Sequence, residues 1–249
     1  MNERLGNTIE TKEREPFGRN VEIRARFLRH GPKDLESWQL TEEGVAASKE
    51  YGEQFEPSAS GENYILKAYT SEIDRAQETA ETIVENINTN RKGHTRIRLE
   101  LGEKDEDVKM ETDALNLPYS EYIKLSRNEE QIGDKAISLH KLAQRVASQI
   151  ENFIKLSRRL KSDSRADLIN ITHLPWLSAF VKEVVGQKLE EETDQKKKKE
   201  VESKITDLGY LDGFELIIKR DDDDVRLSLQ VGENEFPLTE ESIRQLLED

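Results

Sequence analysis

The chain has 249 residues, room for one large domain or two small ones, with 34% hydrophobic and 36% charged residues. Its 38 Lys and Arg against 52 Asp and Glu give a formal charge of −14, which disfavours nucleic acid and anionic membrane as partners and requires any anion site to be a local cluster of cations. Cysteine is absent, which excludes disulfides, thiolate metal sites and a cysteine nucleophile. The polar N-terminus and the lack of a membrane-length apolar run make a cytoplasmic location the expectation.

Residues 1–20 are polar without period and read as a flexible lead-in to one domain over 21–249. Val21 to Arg29 alternates, with Ile23, Ala25 and Phe27 on one side and Arg24 and Arg26 on the other, the pattern of a strand. "LTEEGVAASKEYGEQF" follows a capping Thr41 and predicts a helix despite Gly44. "NYILKAYTS" predicts a buried strand, and "EIDRAQETAETIVENI" a helix with Ile73, Ala76, Ala80 and Ile83 on one face. "TRIRLEL" is a third strand candidate. The acidic stretch over about 102–133 has one "LP" break and a short helix candidate around Tyr119 to Leu125.

Helical spacing then runs from Lys135 to Leu160, and "ADLINITH" is a fourth strand. "PWLSAFVKEVVG" predicts a helix with Pro175 in its first turn and a stop at Gly186. The tail over 210–249 reads as a β-hairpin, "FELIIKR" and "VRLSLQV" joined at "DDDD", followed by a short helix from Thr239. Strands alternating with helices argue for an α/β three-layer sandwich with a mainly parallel central sheet, extended by this hairpin. The lysines at 196–199 read as a solvated helix face, and the aspartates at 221–224 as a turn rather than a cation site. His94 and His140 lack partners at metal spacing, and no metal or cofactor is expected.

In open parallel sheets, ligands sit at the carboxyl ends of the strands. The first strand ends on Arg29 and His30, with Gly31 leaving room for an anion at the backbone. The second delivers Ser71, and the first turn of its helix carries Arg75, whose side chain leans back toward the same rim. The fourth delivers His173, with another helix starting behind it. Each has a structural explanation alone: a core histidine, a surface ion pair, an N-cap. Two histidines and two arginines together, without cysteine, point to phosphoryl chemistry, in which imidazole is a good nucleophile and guanidinium groups neutralise phosphate oxygens.

"RFLRHG", "TSEIDRAQETA" and "ITH", in that order, resemble the histidine phosphatase superfamily, in particular its phosphoglycerate mutase-like branch. The most specific match is Ser71, Arg75, Ala76, Thr79 and Ala80, and the resemblance covers roughly residues 21–186. It implies a phosphomonoesterase acting on a small phosphorylated metabolite. His30 would attack phosphorus and become phosphohistidine; Arg29, Arg75 and His173 would hold the transferring group, with Gly31, Ser71 and Leu174 contributing to phosphate binding. The branch places a proton-donating glutamate after the third strand, which favours Glu103 over Glu100 and Asp113. The resemblance also implies that the stretch over about 102–133 is a lid or substrate wall, with Tyr119, Tyr122 and Arg127 as candidate contacts. Two departures stand out: Pro32 follows the glycine where the family has Glu or Gln, and "HLPW" replaces a His-Gly step. The alternatives are a mutase-like phosphoryl transferase and a catalytically weak member that binds a phosphorylated ligand or a protein. Oligomeric state is not legible.

Overall fold

The computed structural model describes residues 17–34, 36–89, 93–102, 118, 121 and 138–248. Seven strands form one mixed sheet in the order β3-β2-β4-β1-β5-β6-β7. They are β1 (Val21–Arg29), β2 (Tyr64–Thr70), β3 (His94–Ile97), β4 (Arg165–Thr172), β5 (Gly213–Asp221), β6 (Asp224–Val231) and β7 (Asn234–Leu238). The described helices are α1 (Glu42–Gln54), α2 (Asp74–Asn86), α3 (Leu139–Ser157), α4 (Leu174–Glu191), α5 (Gln195–Thr206) and α6 (Glu240–Glu248).

The four strands β3, β2, β4 and β1 run parallel. The remaining three are antiparallel, because β5 pairs with β1 along almost its whole length, Val21 opposite Arg220 and Leu28 opposite Gly213. The expected C-terminal hairpin is therefore a three-stranded meander built into the sheet beside its first strand. Its β5–β6 turn falls within the aspartate run, Asp221 pairing with Asp224.

Strand β1 shows how sequence sets the layers. Ile23, Ala25 and Phe27 face a core shared with Leu142, Val146 and Phe153 of α3 and Leu177 and Phe180 of α4. Leu28 faces the other way, into a core with Ala76, Ala80 and Ile83 of α2. Covered on both faces, β4 reads as the near-continuous apolar run expected of a central parallel strand. One buried charge interrupts it. Asp167 accepts hydrogen bonds from Ser58 N, Ser58 Oγ and the Tyr64 hydroxyl at 2.7–2.9 Å, with the Arg26 guanidinium 3.8 Å away.

Several boundaries differ from the sequence reading. The third candidate strand stops at Ile97, and Leu99–Leu101 winds into a single 3₁₀ turn that buries Leu101. Helix α4 passes through buried Gly186 to Glu191, because Val185 and Leu189 continue its buried face. Strand β7 was not foreseen: its Pro237 sits on an edge strand, where a missing N–H costs no ladder bond. Thr41 caps α1 as expected, accepting from Gly44 N at 3.0 Å, and Ser138 caps α3, accepting from Lys141 N at 3.1 Å. Phe17 and Gly18 are tied to Lys161 and Leu160. The segment read as a lid, with Tyr119, Tyr122 and Arg127, lies outside the described residues. No described helix is long and apolar enough to cross a membrane.

Candidate active site

The register of the parallel strands decides what meets what. Arg29 of β1 lies beside Thr172 of β4, and Thr70 of β2 beside Ile171. The next residues out, His30, His173 and Ser71, therefore leave the sheet together at its carboxyl edge. Backbone bonds fix two of them, His30 N donating to Thr172 O at 3.0 Å and Ser71 N to Ile171 O at 3.1 Å.

His30 is 3% exposed. Its Nδ1 lies 2.7 Å from its neighbour Gly31 O; a carbonyl only accepts, so Nδ1 carries the proton and Nε2 keeps its lone pair. That lone pair receives Arg75 Nε at 3.1 Å. The same guanidinium reaches His173 Nδ1 through its Nη2 at 3.5 Å. His173 Nε2 lies 3.0 Å from Ser71 Oγ, an arrangement that fits an Nε2–H donating to the hydroxyl. The imidazole rings are 5.2 Å apart. Burial, reinforced by the charges of Arg75, Arg29 and Lys33, pushes His30 down to about 3. Burial also holds His173 well below its usual range, with His30 and the same cations adding to the effect. Both imidazoles are neutral at physiological pH.

Arg29 turns its guanidinium onto the Tyr210 ring, 4.2 Å from the centroid, and donates to Leu208 O at 2.7 Å. The segment between α5 and β5 thus forms one wall of the site, which the sequence reading did not anticipate. Tyr210 also meets the His30 ring at 5.8 Å. On another side, Trp176 packs against His173 at 5.2 Å, so the apolar replacement in "HLPW" is structural backing for the second histidine. Leu174 opens α4 directly after it.

Gly31 is closely packed. A Cβ there would come within 3.0–3.1 Å of Leu40 Cδ1, Gly44 O and Ser48 Oγ, and its N–H donates to Thr79 Oγ1 at 3.1 Å. The space it leaves is taken by α1, and its amide by the threonine of the α2 motif. Gly44 answers it: a Cβ there would lie 2.3 Å from Pro32 O. The two glycines let the loop after His30 lie flat on α1.

Gly102 supplies the floor beside His173. At φ +129° it occupies a conformation open to glycine, and a Cβ would press on His173 Cδ2 at 3.2 Å and Ser71 Cβ at 3.3 Å. Its carbonyl accepts from Glu72 N at 2.9 Å. Glu103 follows it in sequence and, like Asp113, lies outside the described residues. Glu100, on the 3₁₀ turn, makes no hydrogen bond or ion pair with His30 or His173.

The model of the histidine phosphatase superfamily, branch 1, matches residues 25–198, a span that includes every residue of this cluster except Tyr210 and Leu208. The chain belongs to the histidine phosphatase superfamily. No curated protein matches it significantly. Among solved structures it resembles a mycobacterial glucosyl-3-phosphoglycerate phosphatase at 15% identity, covering 84% of this chain and 98% of that one, with a TM-score of 0.48. It also resembles a phosphoglycerate mutase from Plasmodium falciparum at 12% identity, covering 90% and 93%, with a TM-score of 0.41.

Lys33 and Trp38, like Tyr210, lie outside the sequence prediction. Lys33 places its ammonium 3.3 Å from the centre of the Trp38 ring, and Arg75 lies 5.8 Å from that same ring. A local signal was present in Pro32, the departure from the family pattern, which directly precedes Lys33.

Proposed function

We infer that the protein is a phosphomonoesterase that works through a phosphohistidine on His30, with a small phosphorylated metabolite as substrate. The observation that carries this reading is the guanidinium of Arg75 bridging His30 Nε2 and His173 Nδ1. It marks a spot where a tetrahedral anion could take the same donors, in line with a nucleophilic lone pair.

The steps follow from those atoms. A phosphate monoester displaces Arg75 from Nε2 and takes hydrogen bonds from Arg29 and Arg75, and the P–OH of its monoanion donates to His173 Nδ1. His30 Nε2 then forms a bond to phosphorus as the ester P–O bond breaks, and the arginines stabilise charge on the three equatorial oxygens. The leaving alkoxide takes a proton from a carboxylic acid, the role we assign to Glu103. Water next attacks phosphorus, giving a proton to that carboxylate as the P–N bond breaks, and returns inorganic phosphate and neutral His30. Ser71 holds the orientation of His173, and Leu174 offers a first-turn amide of α4 to the anion.

Hydrolysis of an aryl phosphate without added metal, compared between wild type and His30→Ala, tests the reading. Loss of at least a thousandfold in kcat is expected, with acid-labile, base-stable phosphate trapped on wild type only. Equal hydrolysis by the two proteins would overturn it. A mutase reading predicts phosphoryl transfer to an added acceptor alcohol exceeding transfer to water.

A further inference from the structure

The loop after His30 is built more carefully than a connector requires. Lys33 pairs with Leu40 in an antiparallel bridge. Asp34 Oδ1 accepts from Glu36 N, Ser37 N and Ser37 Oγ at 2.7–3.0 Å, and its carbonyl accepts Trp38 N at 3.1 Å. Trp38 is held at φ +62°, a conformation that costs a bulky residue about 1–2 kcal/mol. Yet the residue remains 56% exposed, so burial does not explain the strain. What the strained backbone achieves is to lay the indole under Lys33 Nζ.

Lys33 itself is placed against electrostatics. It is partly buried, and Arg29 on β1 and Arg75 on α2 both repel it. Its charge acts on both imidazoles, lowering the basicity of His30 and His173. The phenol of Tyr210 flanks the same group of cations beside Arg29. Among the described residues, no carboxylate forms an ion pair with Arg29, Lys33 or Arg75. The other two cations have hydrogen bonds, Arg29 to Leu208 O and Arg75 to the imidazoles. Lys33 has none among the described residues, only the face of the indole.

Among the described residues, three cations converge with no acid paired to them and one keeps all its side-chain donors uncommitted, a site that awaits an anion. We propose that Lys33, held on the Trp38 ring, is a third cationic contact to the phosphoryl group that His30 attacks. Resting on the phosphatase reading for the identity of the anion, this adds a residue that the phosphate-binding set read from sequence lacks. The indole gives the ammonium a partner of moderate strength, roughly 0.5–2 kcal/mol, which an incoming dianion can outcompete. Because burial and the two arginines bring Lys33 down to about 8, its contribution is present at neutral pH and fades as pH rises past that value.

The test reads binding of inorganic phosphate by calorimetry, independent of turnover, for wild type, Lys33→Met and Lys33→Arg. At pH 7, Lys33→Met should bind phosphate about tenfold more weakly than wild type, while Lys33→Arg stays within about threefold. At pH 9 wild type should approach Lys33→Met, and Lys33→Arg, which keeps its charge, should bind more tightly than wild type. Wild-type affinity in Lys33→Met, or an affinity in Lys33→Arg as weak as that of Lys33→Met, would overturn the proposal. So would failure of wild type to bind phosphate at all. If Lys33→Met does not fold, the pH 9 comparison of Lys33→Arg with wild type decides alone. A protein that binds phosphate through Lys33 but hydrolyses no monoester would refute the phosphatase reading and leave this one standing.

Discussion

Replacing His30 by Asn should make the protein less sensitive to mild acid, whatever it hydrolyses. The unfolded chain has a histidine near 6.5, and the folded one holds His30 down at about 3, chiefly by burial. Between these values the unfolded state binds the proton that the folded state refuses, so stability is full above about 6.5 and falls as pH drops toward 3. At pH 5 the loss from this one group is about 2 kcal/mol, from roughly 1.5 pH units at about 1.4 kcal/mol each. His173 shifts in the same direction and adds to it. Urea denaturation at pH 8 and pH 5, in buffers free of phosphate and sulfate, measures the effect. Wild type should lose about 2 kcal/mol more than His30→Asn between the two pH values. Carboxylates titrating in both proteins cancel in that difference. Parallel losses would show that His30 is not held neutral by the fold, and would remove the basis for an unprotonated nucleophile.

Gly102→Ala should lower phosphate release at least tenfold and stability by about 1–3 kcal/mol, read by steady-state kinetics and thermal unfolding, because the new methyl presses on His173 and Ser71 from a backbone at positive φ. Asp167→Asn should cost about 2–4 kcal/mol in urea while activity per folded molecule changes less than twofold. It strips charge from a buried network of Arg26, Ser58 and Tyr64 that lies five residues upstream of the strand end.

The parallel half of the sheet was legible because burial on both faces leaves a compositional mark. Leu168 to Ile171 could only be an interior strand or a buried helix, and its length chose the strand. The antiparallel half was legible as strands but not as neighbours. Phe214, Leu216 and Ile218 alternate whether they form a separate hairpin or extend the main sheet. What decides is that their apolar side continues the face made by Ile23, Ala25 and Phe27 under α3 and α4. Gly186 misled for a similar reason. A glycine ends a helix whose next turn has nothing to bury, but Leu189 has a core to enter.

The site divides along the same line. Arg29, His30, Ser71 and His173 are one step from strand ends, and a parallel sheet brings strand ends together without further information. Arg75 sits in a first helical turn and inherits its position from the strand before it. Their convergence was readable because each depends only on local structure plus one general rule of the fold. Lys33 depends on a loop that must leave the sheet, turn at Asp34, pass through a strained Trp38 and return to pair at Leu40. No periodicity reports that path. Pro32 was the sole hint, and it marks a departure from the family pattern without reporting the charge that follows it. Tyr210 is harder still, since 180 residues separate it from His30 and only the antiparallel placement of β5 beside β1 brings them into contact. Contacts made by the late strands and by the returning loop therefore depend on where the chain travels after it leaves the strand ends, and no local pattern records that path.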